Sequence, residues 1–156
     1  MKMFKLWSIA VVLLIAMVAC EKPNNGNNNG GGNEPKLTIV EKEWKLVSVN
    51  DEEPEFTVYL YLESGIFNMY QQIYTLDYLY FEGDYTISGN TLSGVYIDGT
   101  EWKCDYQGSV SADGLTLTLV SKEDNPITCV YEACEIPTDV INEALSTRSM
   151  EVVPFL

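Results

Sequence analysis

Ten tyrosines stand in this chain, and histidine is absent. The tyrosines are partly paired: Tyr59 and Tyr61 alternate in "TVYLYLE", and Tyr78 and Tyr80 in "DYLYF". Alternate residues of a strand share a face, so each pair predicts a two-ring platform. Such rings stack on sugars or flat apolar ligands while their hydroxyls offer hydrogen bonds. The bland alternative is cross-strand pairing, worth about 0.2–1 kcal/mol per pair. Without His there is no His-assisted Ser or Cys nucleophile. "SVSADG" has no nucleophile-elbow form, and no Gly-rich loop leads into a helix. Carboxylates cluster at Glu52, Glu53 and Glu55 and at Glu123-Asp124, but neither stretch has the spacing of a calcium loop. A glycosidase needs two carboxylates across a cleft, which sequence spacing does not establish. The expectation is a protein that is not an enzyme and carries no metal or cofactor.

Four cysteines carry the remaining chemistry. Cys20 ends an apolar run, and Met17-Val18-Ala19-Cys20 resembles the bacterial lipobox. That resemblance implies a diacylglyceryl thioether on Cys20, cleavage before it, and acylation of the new amino terminus. Lys2 and Lys5 supply the positive region of an export signal over residues 1–19, and Leu6 to Ala16 its apolar region. The apolar run is shorter than the roughly 20 residues that span a bilayer. Two or more acyl chains anchor stably where one does not. Cys104, Cys129 and Cys134 are then left over. An odd number in an exported domain means three thiols, or one bridge plus a free thiol. Cys104 alternates with Trp102 and Tyr106, and Cys129 with Ile127 and Tyr131, so both should point inward. Buried thiols are the first expectation, and Cys104–Cys129 is the pair a bridge would use. No CxxC and no His means no zinc site.

After Cys20 the chain turns to Asn and Gly. Residues 20–36 hold nothing able to form a core and read as a flexible tether. Its r.m.s. reach is about 20–25 Å, and about 55 Å fully extended. The implied address is the outer membrane of a bacterium, lipid-anchored. Glu21 is the one acid between Cys20 and the Asn tract, so both faces of that membrane stay open.

Once the signal is removed, seven basic residues stand against 23 acidic ones, a formal charge of −16. Phosphate backbones need a concentrated basic patch, so nucleic acid is excluded as a partner. The charge suits solubility, or steering toward a basic protein.

The elements that must position these groups are strands. Turn signals recur every eight to twelve residues, and period-two alternation fills the segments between them. In "EFTVYLYLE", Phe56, Val58, Leu60 and Leu62 take one face. Corners are expected at Ser64, Glu82-Gly83-Asp84, Ser88–Asn90, Asp98-Gly99, Ala112-Asp113-Gly114 and Lys122–Pro126. Eight or nine strands in sequence order, with no long helix between them, predict an all-β domain over residues 37–156. An antiparallel up-and-down barrel is favoured, with a sandwich as the alternative. Trp44, Trp102 and Tyr131 are expected in the core. Pro137-Thr138-Asp139 reads as a helix start with Thr138 or Asp139 as N-cap, followed by a stripe of Val140, Ile141, Ala144 and Leu145. The tail "EVVPFL" would cover a sheet edge or barrel mouth, or fray.

"EWKLVSV", "GDYTISGNTLSG", "DGLTLTLV" and "VYEACEIP" together resemble the lipocalin-like domains of Bacteroidales-type lipoproteins. The resemblance covers most of residues 43–137, with one departure: lipocalins place Gly where this chain has Lys42. It implies an up-and-down barrel with an interior pocket and names no ligand. Two functions are expected from these features. One is a lipid-anchored barrel binding a small apolar molecule or glycan. The other is a protein-interaction module, an envelope-assembly subunit or enzyme inhibitor, that meets a basic partner through its acidic surface.

Overall fold

The computed structural model describes residues 36–39, 42–73, 75–147 and 152–156. The signal, Cys20 and the tether up to residue 35 lie outside the described residues. Eight strands follow in order: β1 Lys42–Val49, β2 Thr57–Glu63, β3 Ile66–Gln72, β4 Leu79–Ser88, β5 Thr91–Tyr96, β6 Tyr106–Val110, β7 Thr116–Ser121 and β8 Thr128–Cys134. A short helix, α1 (Thr138–Glu143), and a two-residue strand, β9 (Leu145–Ser146), complete the elements. Each of the eight strands pairs antiparallel with the next, and β8 returns to β1, so the sheet closes on itself. The up-and-down barrel, rather than the sandwich, is the architecture.

Period two decides which side chains enter the barrel. Trp44 lies opposite Leu60, Leu60 opposite Met69, and Met69 opposite Phe81. That belt is completely or almost completely buried, as are Leu46, Leu62, Phe67, Leu92, Leu117, Leu119 and Tyr131. An eight-stranded barrel is just wide enough for side chains to fill it. Here three indole or phenol rings (Trp44, Trp102 and Tyr131), together with Phe67, do the filling. Trp44, Trp102 and Tyr131 thus sit in the core as their alternation requires. The interior is a packed core and not a pocket.

Turn chemistry sets the register. Ser64 (φ 49°) and Gly65 (φ 90°) both lie in the left-handed region, and Glu63 pairs with Ile66. A two-residue corner of that kind matches the twist of the strands it joins. The expected corner at Glu82-Gly83-Asp84 is absent. β4 runs unbroken through Gly83, because the residue is there for closeness: a Cβ would stand 2.1 Å from the Val95 carbonyl oxygen and 2.7 Å from Phe67 Cε1. Two expected strands therefore merge into one of ten residues. The strand expected over "EWKCDYQGSV" starts late: residues 101–105 form a loop, and β6 begins at Tyr106. Lys42, standing where the resemblance calls for glycine, donates from Nζ to the Gly114 carbonyl at 2.7 Å.

Both ends of the barrel are covered. At the end where the β2–β3, β4–β5 and β6–β7 turns lie, Leu37 is buried and its N–H donates to the Gly89 carbonyl at 3.0 Å. At the other end, the loop end, residues 152–156 close the mouth, and Leu156 is only 1% exposed. The apolar tail is thus a cover. The helix expected after Pro137 is present but is capped differently. Pro137 is the N-cap, no side-chain cap bond forms, and Thr138 and Asp139 belong to the first turn. Ala144 is already extended, so the chain leaves the helix and adds β9 to β4. Of the expected stripe, Val140 is buried, whereas Ile141 and Leu145 are exposed.

Candidate functional site

The paired tyrosines come together on the outer wall of the barrel. Tyr59 and Tyr61 on β2, Tyr70 on β3, and Tyr78 and Tyr80 at the start of β4 form one cluster with Ile136 and Val140. Outward alternation on three adjacent strands brings them there. Tyr59 lies against Tyr78 with ring centroids 6.0 Å apart, and Tyr70 against Tyr80 at 5.2 Å. The contacts run across strands rather than within each predicted pair. α1 lies over part of this face through Val140 and Ala144. Tyr59 and Tyr70 are buried beneath, while Tyr61, Tyr78 and Tyr80 stay half-buried. Burial, the nearby Tyr78 and the Cys134 thiol push the Tyr59 hydroxyl above the ordinary tyrosine range. Burial and then the Glu43 and Glu82 carboxylates do the same for Tyr70.

Tyr80 links this cluster to a cleft. Its hydroxyl donates to Asn68 Oδ1 at 2.7 Å and lies 3.0 Å from Glu82 Oε2. The cleft, of about 500 Å3, runs along the edge of β4 and is lined by Tyr80, Glu82, Ile97, Asp98, Thr100, Ser146, Thr147 and Pro154, with Phe81, Tyr96 and Val152. It exists because β4 is longer than its neighbours on that edge. β5 pairs with Gly83–Ser88, and β9 pairs in parallel with Leu79 and Tyr80. Leu145 N–H donates to the Tyr78 carbonyl, Thr147 Oγ1 to the Tyr80 carbonyl, and Ile97 N–H to the Glu82 carbonyl. β5 and β9 thus use the same edge of β4 and leave a gap between them. Asp98 shapes its rim: it accepts the Thr100 N–H at 2.8 Å, which holds its carboxyl below the usual range.

The three cysteines of the domain are thiols. Cys129 is buried, and Cys104 and Cys134 are half-buried. The bridge considered between Cys104 and Cys129 is not formed, although Cys104 packs against the core that holds Cys129. Burial, reinforced by the nearby Cys104, pushes Cys129 up to about 11. A thiol held protonated is a poor nucleophile. Cys134 points the other way, onto the tyrosine cluster. Among the described residues no group of His, Cys, Asp and Glu could hold a metal ion. No described helix is long and apolar enough to cross a membrane.

The acidic stretches share one end. Asp51, Glu52, Glu53 and Glu55 lie between β1 and β2, Asp77 between β3 and β4, Asp98, Glu101 and Asp105 between β5 and β6, and Glu123 and Asp124 between β7 and β8. An up-and-down barrel places alternate loops together, so ten carboxylates of the described residues stand in the loops of that end.

Sequence reasoning found Tyr80 but not its neighbours Asn68, Glu82, Thr100, Ser146 and Thr147. It also passed over Gln71. That residue follows Phe67 and Met69 on the inward face of β3 and is only 2% exposed. A polar side chain at an inward position of "IFNMYQQ" was the available signal. No family model, curated protein or solved structure matches this chain.

Proposed function

We propose that the chain is a lipid-anchored envelope protein, held at the outer membrane through Cys20, whose barrel presents an outer-wall site for a small glycan. The packed interior leaves no room for an apolar ligand there, which moves binding to the cleft beside β4. The carrying observation is the juxtaposition, across about 500 Å3, of the Tyr80 ring with Glu82, Thr100, Ser146 and Thr147. A sugar has one face that stacks on a ring and a rim of hydroxyls, and this lining offers both kinds of contact. The volume falls within the range of about 300–1,000 Å3 usual for small-ligand sites. Of the paired tyrosines, Tyr80 lines the cleft, and Tyr59, Tyr61 and Tyr78 belong to the cluster it joins.

NMR titration of the domain with a panel of bacterial envelope oligosaccharides tests the site. Saturable shifts are expected at residues 80–82, 97–100 and 146–147, and their loss in Tyr80→Ala. Shifts confined to inward residues such as Leu60 and Leu119, or none with any member of the panel, would defeat it. The anchor has its own check. Radiolabelled palmitate should enter the wild-type chain and not Cys20→Ala.

One observation favours a second reading. Ten carboxylates of the described residues stand in the loops of the loop end, where Leu76 is also 94% exposed. The acidic end would then meet a basic protein partner. Cross-linking in intact cells would yield one stoichiometric protein, released at high salt.

A further inference from the structure

Residues 152–156 sit in the barrel mouth as a peptide sits in a receptor. They form neither strand nor helix, so their place comes from what the barrel offers them. Gln71 supplies the main contact. Its Nε2 donates to the Val153 carbonyl at 3.0 Å, and its Oε1 accepts the Phe155 N–H at 2.8 Å. Tyr96 OH donates to the Leu156 carbonyl at 2.7 Å. All three bonds read backbone atoms. Pro154, between the two residues that Gln71 grips, has no N–H to leave unmet. Side chains add the apolar part: Phe155 lies 5.7 Å from the Phe56 ring, and Leu156 enters the main core.

A buried amide is costly unless its donor and acceptor are both paired. Gln71 faces inward among apolar neighbours, and the partners it finds are the carbonyl and N–H of this segment. A fixed primary amide that pairs with the donor and acceptor of an extended chain is a means of peptide recognition. We propose that the loop end of the barrel is a binding site for an extended apolar peptide of the type Val-Pro-Phe-Leu. Val152–Leu156 occupies it in cis, and Gln71 is the residue that reads the peptide backbone. The segment borders the cleft, whose lining includes Tyr96, Val152 and Pro154, but the peptide site rests on the Gln71 and Tyr96 bonds and not on the glycan reading.

The test uses the full chain shortened to end at residue 151, together with an acetylated, fluorescently labelled peptide of residues 152–156. Saturable binding in trans is expected, with affinity reduced about tenfold or more by Gln71→Leu, which removes two hydrogen bonds. A peptide carrying Phe155→Ala and Leu156→Ala should not compete. The intact chain should bind the peptide far more weakly, because its own segment acts at an effective concentration of order millimolar. In the intact chain, Gln71→Leu should speed hydrogen exchange at the Phe155 amide while β1 and β8 keep their protection. A shortened chain that folds only when the peptide is added would support the proposal. One that folds and ignores the peptide, or stays unfolded in its presence, would overturn it. So would peptide binding unchanged by Gln71→Leu.

Discussion

The indole of Trp102 occupies the space that a side chain at Gly94 would need. A Cβ on Gly94 would stand 2.1 Å from Trp102 Cε2, and the Trp102 backbone N–H donates to the Gly94 carbonyl at 2.9 Å. The loop between β5 and β6 is thereby folded inward, and the indole meets Phe67 at 5.1 Å and Tyr106 at 6.0 Å. Gly94→Ala should cost about 3 kcal/mol, the upper part of the range for overpacked cores. Gly99→Ala is the control: its φ is +88° and nothing lies within 4 Å, so it should cost about 1–2 kcal/mol from backbone strain alone. Urea denaturation of both variants reads the difference. Equal losses would mean that Trp102 moves aside freely.

The Tyr131 hydroxyl is fully buried and has no hydrogen-bond partner among the described residues. Leaving a buried polar group unpaired costs about 1–3 kcal/mol. Tyr131→Phe is therefore expected to hold stability level or raise it by about 1 kcal/mol. A loss beyond about 1 kcal/mol in thermal or urea unfolding would show that the hydroxyl is paired in solution.

Alkaline pH should destabilise the barrel. Cys129 is pushed up to about 11 by burial, and burial also raises Tyr96, Tyr106 and Tyr131. In each case the folded state holds the proton more tightly than the unfolded chain does. The resulting stability is complete below the ordinary pKa of these groups. It falls as pH rises through about 9 for the thiol and about 10 for the phenols. Each such group steepens the fall by up to about 1.4 kcal/mol per pH unit. Unfolding free energy should be flat from pH 7 to 8.5 in this respect and decline above that. Cys129→Ala should postpone the onset. A native Cys129 that reacts with iodoacetamide at pH 8 as fast as an unfolded thiol would contradict the burial on which this rests.

α1 protects the tyrosine wall through Val140. Val140→Ala removes two methyl groups from a buried site and should cost about 1–2 kcal/mol. It should also let the Tyr59 pKa drop back toward the ordinary tyrosine value, because burial is the chief cause of its rise. Ultraviolet titration of tyrosinate would detect this as one hydroxyl ionising earlier. An unchanged titration would mean that β-strand neighbours alone bury Tyr59.

Much of the barrel wall was legible residue by residue. Val58, Leu60 and Leu62 alternate with Tyr59 and Tyr61 in the chain and separate onto opposite faces in the fold. Gly83 was misread as a corner, since a glycine needed for close approach and one needed for a turn look identical in sequence. Trp102 was placed in the core correctly, but it stands in the loop ahead of β6 rather than on the strand itself. The cleft was not legible at all. It depends on β4 outrunning β5 and on β9 arriving from about 65 residues later in the chain.

What the amino-acid sequence determined by itself was the meander: alternation assigns each residue a face, and local turn residues place most of the corners. Those are short-range properties, set by the pleat and by backbone sterics. Tertiary structure alone decided that the barrel is filled rather than hollow, that α1 lies over the tyrosines, and that Gln71 finds its partners in residues 153 and 155. Each of these depends on how volumes and polar groups from distant segments meet, and no local pattern encodes such a meeting.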